Sequence, residues 1–405
     1  MGNEMMAEQT RQFRTTTTGA EVELLLSCAH ARISEEMSRR IREVAQKEID
    51  WIQFIRLVLR HDTLPLTYWN LHRICPDLVP SGVLDPLRAR YEAGAAESRL
   101  LAEELVGILG ILDSQGIKAV PYKGAPLAVR LYGDLTLRGF GDLDIVICEG
   151  EVLRARRLLI NRGYAPERVE INDLNQFLRE NHEMLLYRGD GKVRLDLHWR
   201  CISRSACLAK DPERFVRYLE SVSIAGEEVR SLRLETYLLI LSMHAAKHQW
   251  VQLKLICDIA EILAVPDLEW EYVLREADDL GIKRALGTGL LLAQGLLGAA
   301  VPPRLWQGLK IDRTAKALAV QARARLFEEP GEHWGLKGGI ASQIEIRERL
   351  RDRAKIFFRY FWNKLKPTER DRWFLPLPSA LAIAYYLVRP VRLALERMRK
   401  PDQVH

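Results

Sequence analysis

The sequence predicts an α+β protein in which a small mixed-sheet domain is inserted between an N-terminal and a C-terminal helical domain. Three observations carry that expectation. Apolar residues recur at helical spacing up to about residue 115 and again from Leu234 onward. Short β-prone runs punctuated by glycine fill the interval between them. The chain has 405 residues, 48% hydrophobic and 28% charged, enough for two or three domains with their own cores. The expected divisions are a flexible start at 1–19, a helical domain at 20–115, the mixed α/β domain at 116–230, a second helical domain at 231–327, and a linker with basic amphipathic helices at 328–405.

Residues 1–18 are polar, end in a threonine run and carry no apolar period, so they are expected to fray. Leu24, Leu25 and Cys28, then Trp51, Phe54, Ile55, Val58 and Leu59, repeat at three and four residues. The segment His61-Asp62-Thr63-Leu64-Pro65 breaks that period, and Leu84 to Gln115 resumes it as one long helix that Gly116 stops. Ile117–Pro121 then reads as a strand, Tyr122-Lys123-Gly124 as a turn and Ala125–Tyr132 as a short helix. Asp142–Ile147 is the next strand, and Glu149–Arg162 a helix closed by Gly163. Met184–Tyr187 and Val193–Trp199 flank Gly189-Asp190-Gly191, where glycine supplies the positive φ of a tight hairpin, so these two strands are antiparallel. Helices follow at about 237–250, 252–264, 270–280 and 284–297. The most apolar stretch, 285–301, carries four glycines, Thr288 and Gln294, and reads as a buried helix hairpin rather than a membrane span. Residues 328–339 read as a glycine-rich loop and 340–364 as a basic amphipathic helix, with a short apolar stretch at 379–388. No repeat of 20 to 50 residues is visible, which argues against a solenoid.

Composition narrows the function classes. A net charge of +6 from 60 Lys and Arg against 54 Asp and Glu is modest for a nucleic-acid binder, and no helix-turn-helix, zinc-finger or RNA-binding pattern stands out. Six scattered cysteines (Cys28, Cys75, Cys148, Cys201, Cys207, Cys257) without C-x-x-C pairs, and a polar start with no leader pattern, point to the cytoplasm. The mixture of arginines and aromatics after residue 347 has two readings: contact with the inner membrane face, or an ordinary helix with a solvated charged face.

Three features in the mixed domain converge on chemistry. Asp142 and Asp144 are two apart on a strand, so both carboxylates point to one side while Leu143 faces the core. Adjacent carboxylates repel, and a divalent cation that prefers oxygen ligands is the usual compensation. Asp196, flanked by Leu195 and Leu197 on a later strand, is the third carboxylate. Gly124 lets a phosphate approach the backbone amides of the following helix, with Lys123 and Arg138 adding positive charge. His198 lies on the same strand face as Asp196, where it would touch a phosphate or orient the carboxylate. Together these residues describe a metal-dependent phosphoryl-transfer site. Their plain structural alternatives are a solvated strand end for the Asp pair and Lys123, a surface salt bridge for Arg138, and packing for His198. His244 and His248 share a helix face at a metal-binding spacing, but Ala245 stands where a zinc protease needs glutamate, so they read as packing or as cleft lining alongside Lys247 and Asp258.

The strings YKGAPLAVRLYGDLTLRGFGDLDIVI, LDLHWR and HAAKHQWVQLKLICDIAEIL resemble an uncharacterised bacterial nucleotidyltransferase family of the DNA polymerase beta-like superfamily. The likeness extends into the N-terminal helices and the RDRW…LPLPSALAIAYYLVRPVRL tail. It implies that Asp142, Asp144 and Asp196 are metal ligands and catalytic groups, and that Lys123 and Gly124 form the phosphate turn; from the residues themselves, Arg138, His198 and Lys247 are added as nucleotide-binding candidates. It implies Mg²⁺ or Mn²⁺ as cofactor, an NTP as substrate, and transfer of a nucleoside monophosphate to a hydroxyl or phosphate acceptor in polysaccharide or peptide natural-product biosynthesis. A small molecule, sugar, lipid carrier or peptide ranks above nucleic acid as acceptor. One position departs from the superfamily: Ala125 follows Gly124 where serine or glycine is usual, so a hydroxyl to phosphate is missing. The alternative is a non-catalytic nucleotide-binding or interaction module with the same fold.

Overall fold

The structure, a computed structural model, describes residues 19–167, 174–200, 218–328, 343–367, 369–377, 381 and 384–399. The expected frayed start, Cys201, Cys207 and most of the glycine-rich 328–339 stretch lie outside the described residues. The chain divides into two compact units, residues 1–333 and 334–405.

The first unit begins with α1 (Ala20–Cys28), α2 (Glu35–Ala45), α3 (Trp51–Arg60), α4 (Leu64–Ile74) and the long α5 (Ser81–Ser114). Asp50 and Ser34 cap α3 and α2 by accepting amide protons of the first turn, the use for which short oxygen side chains suit helix starts. Leu101, Leu105, Ile108 and Leu112, spaced four, three and four along α5, join the core beneath the sheet. The sheet comprises β1 (Ala119–Pro121), β2 (Leu143–Ile147), β3 (Tyr164–Pro166), β4 (Glu183–Arg188) and β5 (Arg194–His198), in the order β1-β2-β5-β4-β3. Among the described strands of this sheet, β2 and β5 run parallel and the other neighbours are antiparallel. Every residue of β2 is buried, as a central strand covered on both faces requires. Glu104 of α5 ties the far edge, accepting from Arg162, the Tyr164 hydroxyl and Arg188 at 3.1, 3.1 and 2.5 Å.

The expected strands and the β4–β5 hairpin are present, and three elements come in addition. β3 is too short to show an alternation, and a helix at Leu174–Glu180 follows it. A second hairpin, β6 (Leu219–Ile224) with β7 (Glu227–Leu232), turns at Ala225-Gly226 with φ of 51° and 84°; the alanine disguises a turn that two-residue hairpins build from positive φ. After Gly124 only Ala125–Leu127 is α-helical, and Ala128–Tyr132 continues as a π turn.

The following helices are α6 (Leu234–Lys247), α7 (Leu253–Leu263), α8 (Trp270–Leu280), α9 (Lys283–Leu297), α10 (Pro303–Leu309) and α11 (Arg313–Phe327). The buried hairpin expected at 285–301 is instead the single helix α9, ended by Gly298. Gly287 and Gly289 are close approaches rather than turns: a Cβ on Gly287 would meet Ile311 at 2.4 Å, and one on Gly289 would meet Trp250 at 2.8 Å. Residues 334–405 contain helices at Leu350–Leu365, Glu369–Phe374 and Tyr385–Arg399. The basic helix expected from 340 starts at Leu350, because Arg349 is extended and forms its N-cap. Asp371 is buried there and accepts from Arg392 at 2.6 Å and Arg389 at 3.3 Å.

One buried ion pair fixes α7 against the sheet domain. Asp258 is fully buried and accepts two bonds from Arg138, at 2.8 and 2.9 Å, and a third from the Tyr132 hydroxyl at 2.8 Å. Removing one member strands a buried charge. Asp258→Ala is therefore expected to cost about 3–5 kcal/mol in urea unfolding, whereas Arg138→Met combined with Asp258→Leu, which removes both charges, should recover most of that loss.

Candidate functional site

The parallel pairing of β2 with β5 sets the centre of the site. Its register puts Asp144 beside Asp196, and the antiparallel pairing of β4 with β5 puts Glu183 opposite His198. Alternation then brings Arg194, Asp196 and His198 to one face of β5. Asp144, Asp196 and His198 are all buried, and one ligand atom from each lies within 4.8 Å of the others.

Buried carboxylates need compensating charge, and each has it. Asp144 Oδ1 lies 2.7 Å from His198 Nε2, and its Oδ2 lies 3.3 Å from Lys123 Nζ. Asp196 is clamped by Arg194, whose Nε and Nη2 donate at 3.0 and 2.8 Å. His198 Nδ1 in turn lies 3.2 Å from Glu183 Oε2. Burial alone raises the Asp144 carboxyl, but the Lys123 charge and the His198 hydrogen bond outweigh it and hold Asp144 well below the ordinary value of 3.8. Asp142 stands just outside β2 and 4.0 Å from Arg194. Burial and the neighbouring Asp144 charge push its carboxyl up. Asp196 is also raised, by burial and by Asp144, against the opposing pull of Arg194.

These residues border a cleft of about 480 Å³ lined by Lys123, Gly124, Arg138, Asp142, Asp144, Asp196, His198 and Lys247, all singled out from the sequence. Gly124 takes φ 69° and ψ −124°, a conformation reserved for glycine. Pro126 carries no N–H, so the turn offers a phosphate fewer amides than a typical helix start. Arg138 lies in the cleft wall as a buried partner of Asp258, not as a surface salt bridge. Asp258 itself, read as cleft lining, sits behind that wall. His244 and His248 from the end of α6 complete the opposite side, with ring centroids 4.7 Å apart. Both are shifted down, His244 chiefly by burial and the charge of Lys123, and His248 by burial and the charge of Lys247, which favours their neutral forms.

Four contributors escaped the sequence reading. Arg194 was open to discovery, since it lies two residues before Asp196 on the same strand face. Glu183 was too, by counting back from the glycine turn of the hairpin. Lys254 and Asp62 carry no local signal: Lys254 reaches Asp62 and the Gly139 carbonyl only because α7 begins against the α3–α4 turn, where His61 O accepts from Lys254 N at 3.2 Å. The approach to α7 is strained, with Gln249 and Trp250 at φ 55° and 59°.

Residues 47–298, more than half of the chain, match the model of a family described as uncharacterised nucleotidyltransferase. No curated protein matches. Among solved structures, the chain is similar to an antigenic nucleotidyltransferase-like protein from Paracoccidioides brasiliensis, at 18% identity and a TM-score of 0.32, over 54% of this chain and 95% of that one.

The ionised Asp144 stabilises the fold above its unfolded pKa, and that contribution is lost as pH falls through its depressed folded value. Lys123→Met is expected to raise the Asp144 carboxyl in metal-free protein and to move this loss to higher pH. Carboxyl-resolved NMR titration, with urea unfolding along the same pH series, reads both effects.

Proposed function

We propose that this chain, which belongs to the uncharacterised nucleotidyltransferase family, transfers a nucleoside monophosphate from an NTP to a hydroxyl or phosphate acceptor with release of pyrophosphate. The observation that carries the reading is the pairing of Asp144 with Asp196 on adjacent parallel strands, with His198 beside them and the Lys123-Gly124 turn at the same cleft. Two carboxylates and an imidazole within 4.8 Å form a donor set suited to a divalent cation. Asp144 and Asp196 would hold it, with Asp142 at the mouth, and it would supply charge neutralisation at the phosphate oxygens.

The protein's own groups do the rest. Lys123, Lys247 and the amides at Gly124 and Ala125 bind the triphosphate and orient the α-phosphorus. The acceptor oxygen forms a bond to that phosphorus while the bond to the β-phosphate bridging oxygen breaks, and pyrophosphate leaves with that oxygen. Asp142, which lines the cleft outside the pair that would hold the cation, is the group suited to take the acceptor's proton. Neutral His244 and His248 add hydrogen bonding without further charge. The acceptor class proposed is a small molecule, sugar, lipid carrier or peptide in a biosynthetic pathway.

A second reading is nucleotide binding without transfer. Lys123 on Asp144 and Arg194 on Asp196 already neutralise two carboxylates from within, which favours it. Calorimetric titration with ATP, GTP, CTP and UTP, with and without Mg²⁺, followed by labelled-nucleotide transfer, separates the two. Transfer is expected to require the cation and to fall by about 10³-fold or more in Asp142→Asn/Asp144→Asn, the loss of several kcal/mol of charge stabilisation. Cation-independent NTP binding that survives the double substitution, with no transfer, would favour the binding module.

We also propose peripheral contact of residues 334–405 with an anionic membrane surface. No helix among the described residues is long and apolar enough to cross a membrane. The region holds sixteen Lys and Arg against seven Asp and Glu, a formal charge of +9, so residues 1–333 carry −3 of the chain's +6. It also exposes Phe358 at 67% and Trp373 at 87%. Vesicles containing phosphatidylglycerol are expected to sediment the protein, phosphatidylcholine vesicles much less, and Phe358→Ser/Trp373→Ser should weaken binding several-fold; equal retention by both vesicle types would argue against the contact.

A further inference from the structure

His198 stands between two carboxylates, with Nε2 2.7 Å from Asp144 Oδ1 and Nδ1 3.2 Å from Glu183 Oε2. Glu183 is held there by the sheet itself, because it faces His198 directly across the β4–β5 pair. Each ring nitrogen therefore faces a carboxylate: Nδ1 faces Glu183, and Nε2 stands beside Asp144 Oδ1, where the two can share one metal ion. The remaining geometry suits the metal: Lys123 takes Asp144 Oδ2 and leaves Oδ1 on the His198 side, and an Asp196 oxygen lies within 4.8 Å of both other donors. Arg194 occupies Asp196 through one direction per oxygen, and each carboxylate oxygen has a second lone pair.

We propose that Glu183 positions His198 as a nitrogen ligand, so that Asp144, Asp196 and His198 form a two-carboxylate, one-imidazole site that takes a first-row transition cation in preference to Mg²⁺. The inference rests on the reading of this cleft as a metal-dependent site. An imidazole ligand backed by a carboxylate at its other nitrogen is oriented and made more basic, which favours borderline cations over the all-oxygen demand of Mg²⁺. Glu183 touches neither cation nor nucleotide in this arrangement; it is a positioning residue.

The test uses the full chain with Mn²⁺ and Mg²⁺ as probes, by calorimetry and by pulsed EPR of the Mn²⁺-loaded protein. Mn²⁺ is expected to bind more tightly than Mg²⁺, with nitrogen coupling from a directly bound imidazole that disappears in His198→Asn. Glu183→Ala is expected to lower Mn²⁺ affinity by about 10–100-fold and to leave Mg²⁺ affinity nearly unchanged. Glu183→Gln, whose amide oxygen can face Nδ1 from the same position, should retain most of the Mn²⁺ affinity. A glutamate with a merely structural role would shift unfolding without changing the Mn²⁺-to-Mg²⁺ ratio. Equal affinities with no nitrogen coupling in the parent protein would overturn the proposal while leaving a metal-dependent transfer site intact; failure of both cations to bind, with or without NTP, would overturn both.

Discussion

Placing Asp144 and Asp196 side by side at the centre of a buried sheet is the constraint on which the rest of the site depends. Two carboxylates removed from water repel each other and lose hydration, and the fold answers with cations and hydrogen bonds from every direction. Lys123 comes from the turn after β1, Arg194 from two residues earlier on β5, and His198 from two residues later, itself braced by Glu183 of β4. This arrangement leaves a cleft with dense charge of both signs and little net charge. Such a cleft is suited to receive a polyphosphate together with a cation without a large change in local electrostatics.

The helices behind the cleft serve the same arrangement. Arg138 and Asp258 bury their charges against each other, and the Tyr132 hydroxyl completes the third bond, so the loop between the π turn and β2 cannot shift without breaking a buried pair. Trp250 packs over Gly289 of α9, and the positive φ values at Gln249 and Trp250 bend the chain sharply between α6 and α7. That bend lets the histidines at the end of α6 and Lys254 at the start of α7 face the same cleft. The strain is local, and the buried tryptophan holds it in place.

The charge of the chain is divided unequally along its length, with the excess of basic residues confined to 334–405. Proteins under electrostatic selection for nucleic acid usually carry the excess on the domain that reads the ligand. Here the part of the chain with the cleft is slightly acidic, and Lys123, Arg138, Arg194 and Lys254 at the cleft are each paired with a carboxylate. The basic segment instead combines its charge with exposed aromatic side chains, a combination suited to an interface between water and lipid.

The sequence by itself determined the secondary-structure rhythm, the hairpin at Gly189-Asp190-Gly191 and the gathering of Lys123, Gly124, Asp142, Asp144, Asp196 and His198 into one chemical proposal, because strand alternation and glycine conformations are local properties of a few residues. Arg194 and Glu183 were within reach of the same local rules, one by alternation and the other by hairpin register. Tertiary structure alone decided which ligand atoms meet. The parallel register of β2 with β5 set Asp144 against Asp196 across a long excursion of chain, and packing of α7 on the α3–α4 turn brought Lys254 to the cleft from almost two hundred residues beyond Asp62. It also decided that Arg138 is a buried partner of Asp258 and that the glycines of α9 accommodate Trp250 and Ile311 rather than bend the helix. These are outcomes of close packing between segments distant in sequence, and no periodicity within either segment encodes them.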